Sequence, residues 1–126
     1  METKKVIQKL QEGAYDSRLR ALYVDDKRLE YERLRYIAAV ETYVEQFGEG
    51  DIDIYSAPGR SEIGGNHTDH QHGEVLAAAI NRDAIAIVGK TEEACVKIIS
   101  EGYELIKIDL NELQVKKTEY GTTQAL

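Results

Sequence analysis

The sequence predicts an α+β fold, with N-terminal helices followed by a mixed or antiparallel strand-rich half. Three observations carry that expectation. Residues 1–47 repeat apolar side chains at three- and four-residue steps, the period of a helix with one buried face. Residues 52–110 instead hold short β-branched runs parted by turn residues, which is strand and hairpin patterning. The two patterns are segregated along the chain and do not alternate, the order expected of α+β rather than α/β.

Taken in order, Thr3 is placed to cap a short helix with Val6, Ile7 and Leu10 on one face and Gly13 just beyond its end. Asp16 and Ser17 start a second short element carrying Leu19, Leu22 and Tyr23. Asp25 and Asp26 open the strongest helix. Its stripe is Leu29, Tyr36, Ile37, Val40, Tyr43, Val44 and Phe47, and Gly48 suits its end. Arg28, Glu32, Arg35 and Glu45 read as its solvated face. Ile52, Ile54 and Ser56 alternate with Asp53 and Tyr55, a half-buried strand. Residues 57–73 read as a loop. Residues 75–80 are apolar but alanine-rich, so strand and buried helix both fit. Residues 81–83 read as a turn and residues 84–88 as a buried strand. Residues 94–100 and 105–110 are strands about a turn at Glu101 and Gly102. The tail beyond residue 110 is polar with no clear period.

Composition narrows the function classes. The length, 126 residues, suits one domain. The net charge of −7 argues against nucleic acid and against anionic membrane surfaces, both of which want a basic face. The longest apolar run, residues 75–80, falls far short of the roughly 20 residues of a membrane span. The N-terminus is polar and lacks the apolar stretch of a secretory signal. The single cysteine, Cys95, has no partner for an internal disulfide and reads as a small core residue. A cytoplasmic protein is the expectation.

Residues 57–73 stand apart chemically. They hold the only proline, four of the ten glycines and all three histidines, which packing alone does not require. The run Ala57, Pro58, Gly59, Arg60, then Gly65, His67, Thr68 and Asp69 resembles the galactokinase signature of the GHMP small-molecule kinases. Asn66 stands where that family usually has Glu, His70 where it has Tyr, and Ser61-Glu62 where it has an apolar-Asn pair. The resemblance implies the N-terminal domain of a galactokinase-like enzyme, its partners being galactose and ATP, its reaction phosphorylation at the anomeric hydroxyl, with ATP and Mg²⁺ as cofactors. It places Arg60 at the phosphoryl-transfer site and His67 and Asp69 on galactose. Asn66 is carried over as a further sugar contact.

The chemistry of those side chains suits the roles. Asp69 can accept hydrogen bonds from two adjacent sugar hydroxyls, and His67 can donate or accept at another. Arg60 is a permanent cation. Asn66 keeps an acceptor and adds a donor but loses charge-assisted strength. A metal site is the rival for the same residues, since His67, Asp69, His70 and His72 are all ligand types. Side chains so close on an extended loop point different ways, and no second cluster closes a coordination sphere, so no metal is expected.

The family's phosphate loop, a Gly-Ser-rich segment opening a helix, has no counterpart. Gly121, Thr122 and Thr123 are too sparse, and no residue matches the family's catalytic aspartate. Residues 1–126 therefore read as the sugar-binding N-terminal portion of a longer, truncated chain, inactive alone, with the nucleotide and Mg²⁺ sites mostly outside it. Two alternatives stay open. One is a non-catalytic sensor of galactose and ATP. The other is a kinase for a related sugar such as N-acetylgalactosamine or arabinose.

Overall fold

A computed structural model describes residues 1–65, 72–111, 114 and 117–121. The chain divides into two compact units, Met1–Gly89 and Lys90–Leu126. The first opens with helices α1 (Thr3–Gln11), α2 (Asp16–Tyr23) and α3 (Leu29–Phe47), with a 3₁₀ turn at Asp26–Arg28 before α3. A long hairpin of β1 (Ile52–Gly64) and β2 (Leu76–Gly89) follows. Helices first and antiparallel strands after make the α+β arrangement that the two periodicities predict. Among the described residues no helix is long and apolar enough to cross a membrane.

The helices form where their apolar stripes fall. Val6 and Leu10 of α1, Leu19 and Tyr23 of α2, and Tyr36, Ile37 and Val40 of α3 are buried together with Ile52 of β1. Ile54, Ile85 and Ile87 of the hairpin pack against that cluster. The core therefore lies between the helices and one face of the sheet. Asp25 accepts from the Lys27 N–H at 3.0 Å, capping the 3₁₀ turn that leads into α3. Gly48 ends α3 with φ 86°, a conformation glycine adopts freely.

Two details of the helices differ from expectation. Thr3 does not cap α1 but is its first residue and is buried, with Glu2 in the cap position. Here the backbone does the work instead, as the Thr3 N–H donates to Gly50 O at 3.0 Å and the Ile52 N–H to Met1 O at 2.9 Å. The chain start is thus tied to the approach to β1, and the threonine turns inward. Leu22 is 52% exposed. An eight-residue helix turns only a narrow stripe inward, and Leu19 and Tyr23, at i and i+4, occupy it.

The hairpin is longer than the sequence suggests. β1 runs through Ala57, Pro58, Gly59 and Arg60, which the loop reading missed, and pairs antiparallel with β2 from Ile52↔Gly89 to Gly64↔Leu76. Pro58 is tolerated because a two-stranded sheet has only edge strands, where the missing N–H need not cost a ladder bond. The strand reading is the one that holds for residues 76–80. The expected turn at residues 81–83 is an irregularity inside β2, where the register jumps from Pro58↔Asp83 to Arg60↔Ala79. Residues 84–88 are not buried on both faces, since Ile85 and Ile87 turn inward while Ala84, Ala86 and Val88 are exposed. Helices cover one face only, and an antiparallel sheet permits that.

The second unit holds a short hairpin of β3 (Cys95–Ile98) and β4 (Ile106–Asp109), paired from Cys95↔Asp109 to Ile98↔Ile106. Cys95 is buried with a free thiol. Hydrogen bonds from Lys97 and Lys107 hold the Glu93 carboxyl down at about 2.

Ile52 is 1% exposed where the first strand enters the core. Ile52→Ala is expected to cost about 2–5 kcal/mol in urea unfolding. A loss under about 1 kcal/mol would place the core elsewhere.

Candidate functional site

The signature residues ride on the hairpin beyond the helical layer. Arg60 is exposed on β1, opposite Ala79. Gly59 stands at the register jump, where an added Cβ would lie 3.2 Å from Ile80 Cδ1 and 3.3 Å from the Arg82 carbonyl. A side chain there would press on the irregular part of β2. Gly65 has φ +111°, and a Cβ on it would meet Val75 Cα at 2.7 Å and Glu74 O at 2.8 Å. The two arms come together there only because position 65 has no side chain. Asn66, His67 and Asp69, with His70, lie outside the described residues. The structure thus places Arg60 and the two flanks of the signature. His72 is exposed with φ 60°.

Behind the hairpin lies a polar cluster that sequence reasoning missed. Glu32, expected on a solvated face, is 0% exposed and forms ion pairs with Arg28 and with Arg35, the latter at 3.0 Å. Arg35 Nη1 also reaches Asp83 Oδ1 at 2.7 Å, and its Nη2 donates to the Asp83 carbonyl at 2.8 Å. Tyr23 Oη donates to Asp83 Oδ2 at 2.7 Å, and Ser56 Oγ donates to the same oxygen. The Tyr23 and Tyr36 hydroxyls are 3.0 Å apart. Of Arg28, Glu32, Arg35 and Glu45, the residues expected on a solvated face, only Glu45 is exposed. The signal for Glu32 was in the sequence: it lies three residues after Leu29 and four before Tyr36, on the buried stripe itself. The signal for Asp83 was not, because its partners come from three other elements.

The electrostatics follow from this packing. Burial alone would raise the Asp83 carboxyl, but hydrogen bonds from Ser56, Tyr23 and Arg35 outweigh it and hold the group below the ordinary carboxylate value. Burial, and then bonds to Tyr36 and Asp83, push the Tyr23 phenol well above its ordinary value. A carboxyl depressed in the folded state contributes stability above its unfolded value, and that contribution is lost as pH falls through the folded value. Thermal unfolding is therefore expected to show a loss of stability below about pH 4 that is smaller in Asp83→Asn. Identical acid profiles for the two proteins would contradict the charged assignment.

Comparison with known proteins bears on the same hairpin. Residues 41–90 match the family model described as the galactokinase galactose-binding signature. The chain is 34% identical over 74 residues to a galactokinase of Enterococcus faecalis (strain ATCC 700802 / V583), covering 56% of this chain and 19% of that protein. It is 28% identical over 88 residues to a galactokinase of Streptococcus suis (strain 05ZYH33), covering 68% and 23%. It is 31% identical over 86 residues to a galactokinase of Lactococcus lactis subsp. lactis (strain IL1403), covering 65% and 22%. The chain thus spans about a fifth of the length of these relatives. No solved structure matches.

The helical layer thus carries a long hairpin that matches the galactose-binding signature. The matched stretch runs from the second half of α3 to the residue after β2, and over it the chain is similar to the galactose-binding region of galactokinases.

Proposed function

We propose that the chain is the N-terminal sugar-binding part of a longer galactokinase-like enzyme of the cytoplasm. That enzyme transfers the γ-phosphoryl group of ATP to the anomeric hydroxyl of galactose. The observation that carries this reading is the match of residues 41–90 to the galactose-binding signature, and the relatives' greater length supports the view that further chain completes the enzyme.

Within it, Asp69 and His67 hold sugar hydroxyls, Asn66 adds a neutral contact, and Arg60 stabilises the charge that develops on the phosphoryl group. The chain's described residues do not fit the nucleotide. A triphosphate is held best at a helix N-terminus free of negative charge. Each described α-helix instead starts beside a carboxylate: Glu2 for α1, Asp16 for α2, Glu30 and Glu32 for α3. Residues beyond this chain would hold ATP and Mg²⁺, and the isolated 126 residues are expected to release no ADP. Asn66 and His70 favour a second reading within the class, a kinase for a related sugar such as N-acetylgalactosamine or arabinose.

The test is ADP release by the full-length enzyme with Mg-ATP across galactose, glucose, N-acetylgalactosamine and arabinose. Turnover on galactose is expected, with Arg60→Ala lowering kcat by about a hundredfold or more and Asp69→Ala removing saturation by sugar. Preference for another sugar would trace the difference to Asn66 or His70. Galactose binding without turnover would replace the enzyme by a sensor.

A further inference from the structure

The hairpin changes character at one point along its length. Below it, Ile52, Ile54, Ile85 and Ile87 are packed against the helical core. Above it, residues 76–82 of β2 are all exposed, as are Arg60, Ser61, Ile63 and Gly64 of β1. A two-stranded ribbon is marginal by itself and twists readily. The direction of the distal arm is therefore decided where it leaves the core.

That place is the first of two register jumps, the second falling further out between Glu62 and Gly64. Between Pro58↔Asp83 and Arg60↔Ala79, residues 80–82 of β2 stand opposite Gly59 alone. An irregularity of this kind bends a strand, and here three side chains from three elements converge on one carboxylate beside it. Asp83, whose side chain is 3% exposed, takes Ser56 from β1, Tyr23 from α2 and Arg35 from α3. Two longer bonds hold the irregular stretch itself, Arg28 Nη1 to Asn81 O and Asn81 Nδ2 to Tyr23 O, both 3.4 Å.

We propose that Asp83 is a positioning residue for the sugar site. With Tyr23, Ser56 and Arg35 it sets the angle at which the distal arm leaves the helical layer, and so where Arg60 and the signature residues after it are presented. A carboxylate receiving a cationic donor and two hydroxyls is a stiff joint, because charge-assisted bonds are short and directional. The functional half of the proposal rests on the sugar-binding reading above. The geometric half does not.

Two readouts separate them. The first is galactose Kd by calorimetry for the wild type, Ser56→Ala, Asp83→Asn and Asp83→Ala, scaled to the folded fraction from urea unfolding. Ser56→Ala removes one bond and leaves the ion pair, so it keeps the fold even where Asp83→Ala does not. The expected result is weaker binding per folded molecule in Ser56→Ala, about fivefold, and a larger loss in Asp83→Ala that Asp83→Asn partly restores. Unchanged Kd in folded variants would overturn the proposal. The second readout needs no sugar. It is the distance between spin labels at Ala38→Cys on α3 and Ala78→Cys on the distal arm, both exposed positions, in a Cys95→Ala background. A narrow distribution that shifts or broadens in Ser56→Ala supports the joint, and an unchanged one overturns it. A wild type that binds no galactose while its label distance depends on Ser56 would sink the sugar reading and keep the joint.

Discussion

Replacing Glu32 with alanine is expected to lower the unfolding free energy by about 3–5 kcal/mol. Glu32 is fully buried and is the shared counterion of Arg28 and Arg35. Its removal leaves Arg28 with no ion-pair partner among the described residues, and Arg35 with Asp83 alone. A guanidinium held in a packed layer without its counterion carries most of its desolvation cost uncompensated. The pair of Arg20 and Asp26, exposed at the end of α2, is the internal contrast, and breaking it is expected to cost under about 1 kcal/mol. Urea unfolding of both variants at equal m-value decides the matter. A Glu32→Ala loss as small as that of the surface pair would show that the cluster is solvated after all, as its charge pattern alone suggested.

Gly65→Ala is expected to cost sugar affinity more than tenfold while leaving the helical layer folded. The backbone at Gly65, φ +111°, is one that side-chain-bearing residues rarely adopt, and such strain costs roughly 1–3 kcal/mol. The steric term adds to it, because the atoms in the way are Val75 Cα and Glu74 O, which are backbone and cannot rotate aside. The arms must separate, and the signature residues 66–71 lie in the chain between them. Gly64→Ala is the control, since nothing lies within 4 Å of a Cβ at that position, and its galactose Kd is expected to stay within about twofold of the wild type. Equal affinity in the two variants would show that the closure at Gly65 does not shape the site.

Much of the fold was legible because it rests on local periodicity. The stripe of α3 reads directly as burial, and the alternation of residues 52–56 gives the inner face of β1. What was not legible depends on pairing at long range. The Gly- and Pro-containing run after Ser56 has loop composition, yet it is strand because β2 offers it a partner register through the irregular stretch near Asp83. Residues 81–83 have turn composition for the same reason. Arg35 looks like an ordinary surface charge until Asp83, 48 positions beyond it, closes the cluster, whereas Glu32 could have been found from its place on the buried stripe. The candidate site divides the same way. Its signature was readable, because an ordered motif of many matched residues carries its own specificity, and residues 41–90 match the galactose-binding signature. Its setting was not, because the position of Arg60 depends on the register jump and the Asp83 cluster behind it.

The most direct test of the sugar-site claim is a galactose titration of this chain followed by amide NMR, with Asp69→Ala alongside. Saturable shifts are expected in residues 57–76, lost in Asp69→Ala and unmatched by glucose at the same concentrations. No saturable shift with galactose, or shifts that survive Asp69→Ala unchanged, would contradict the claim.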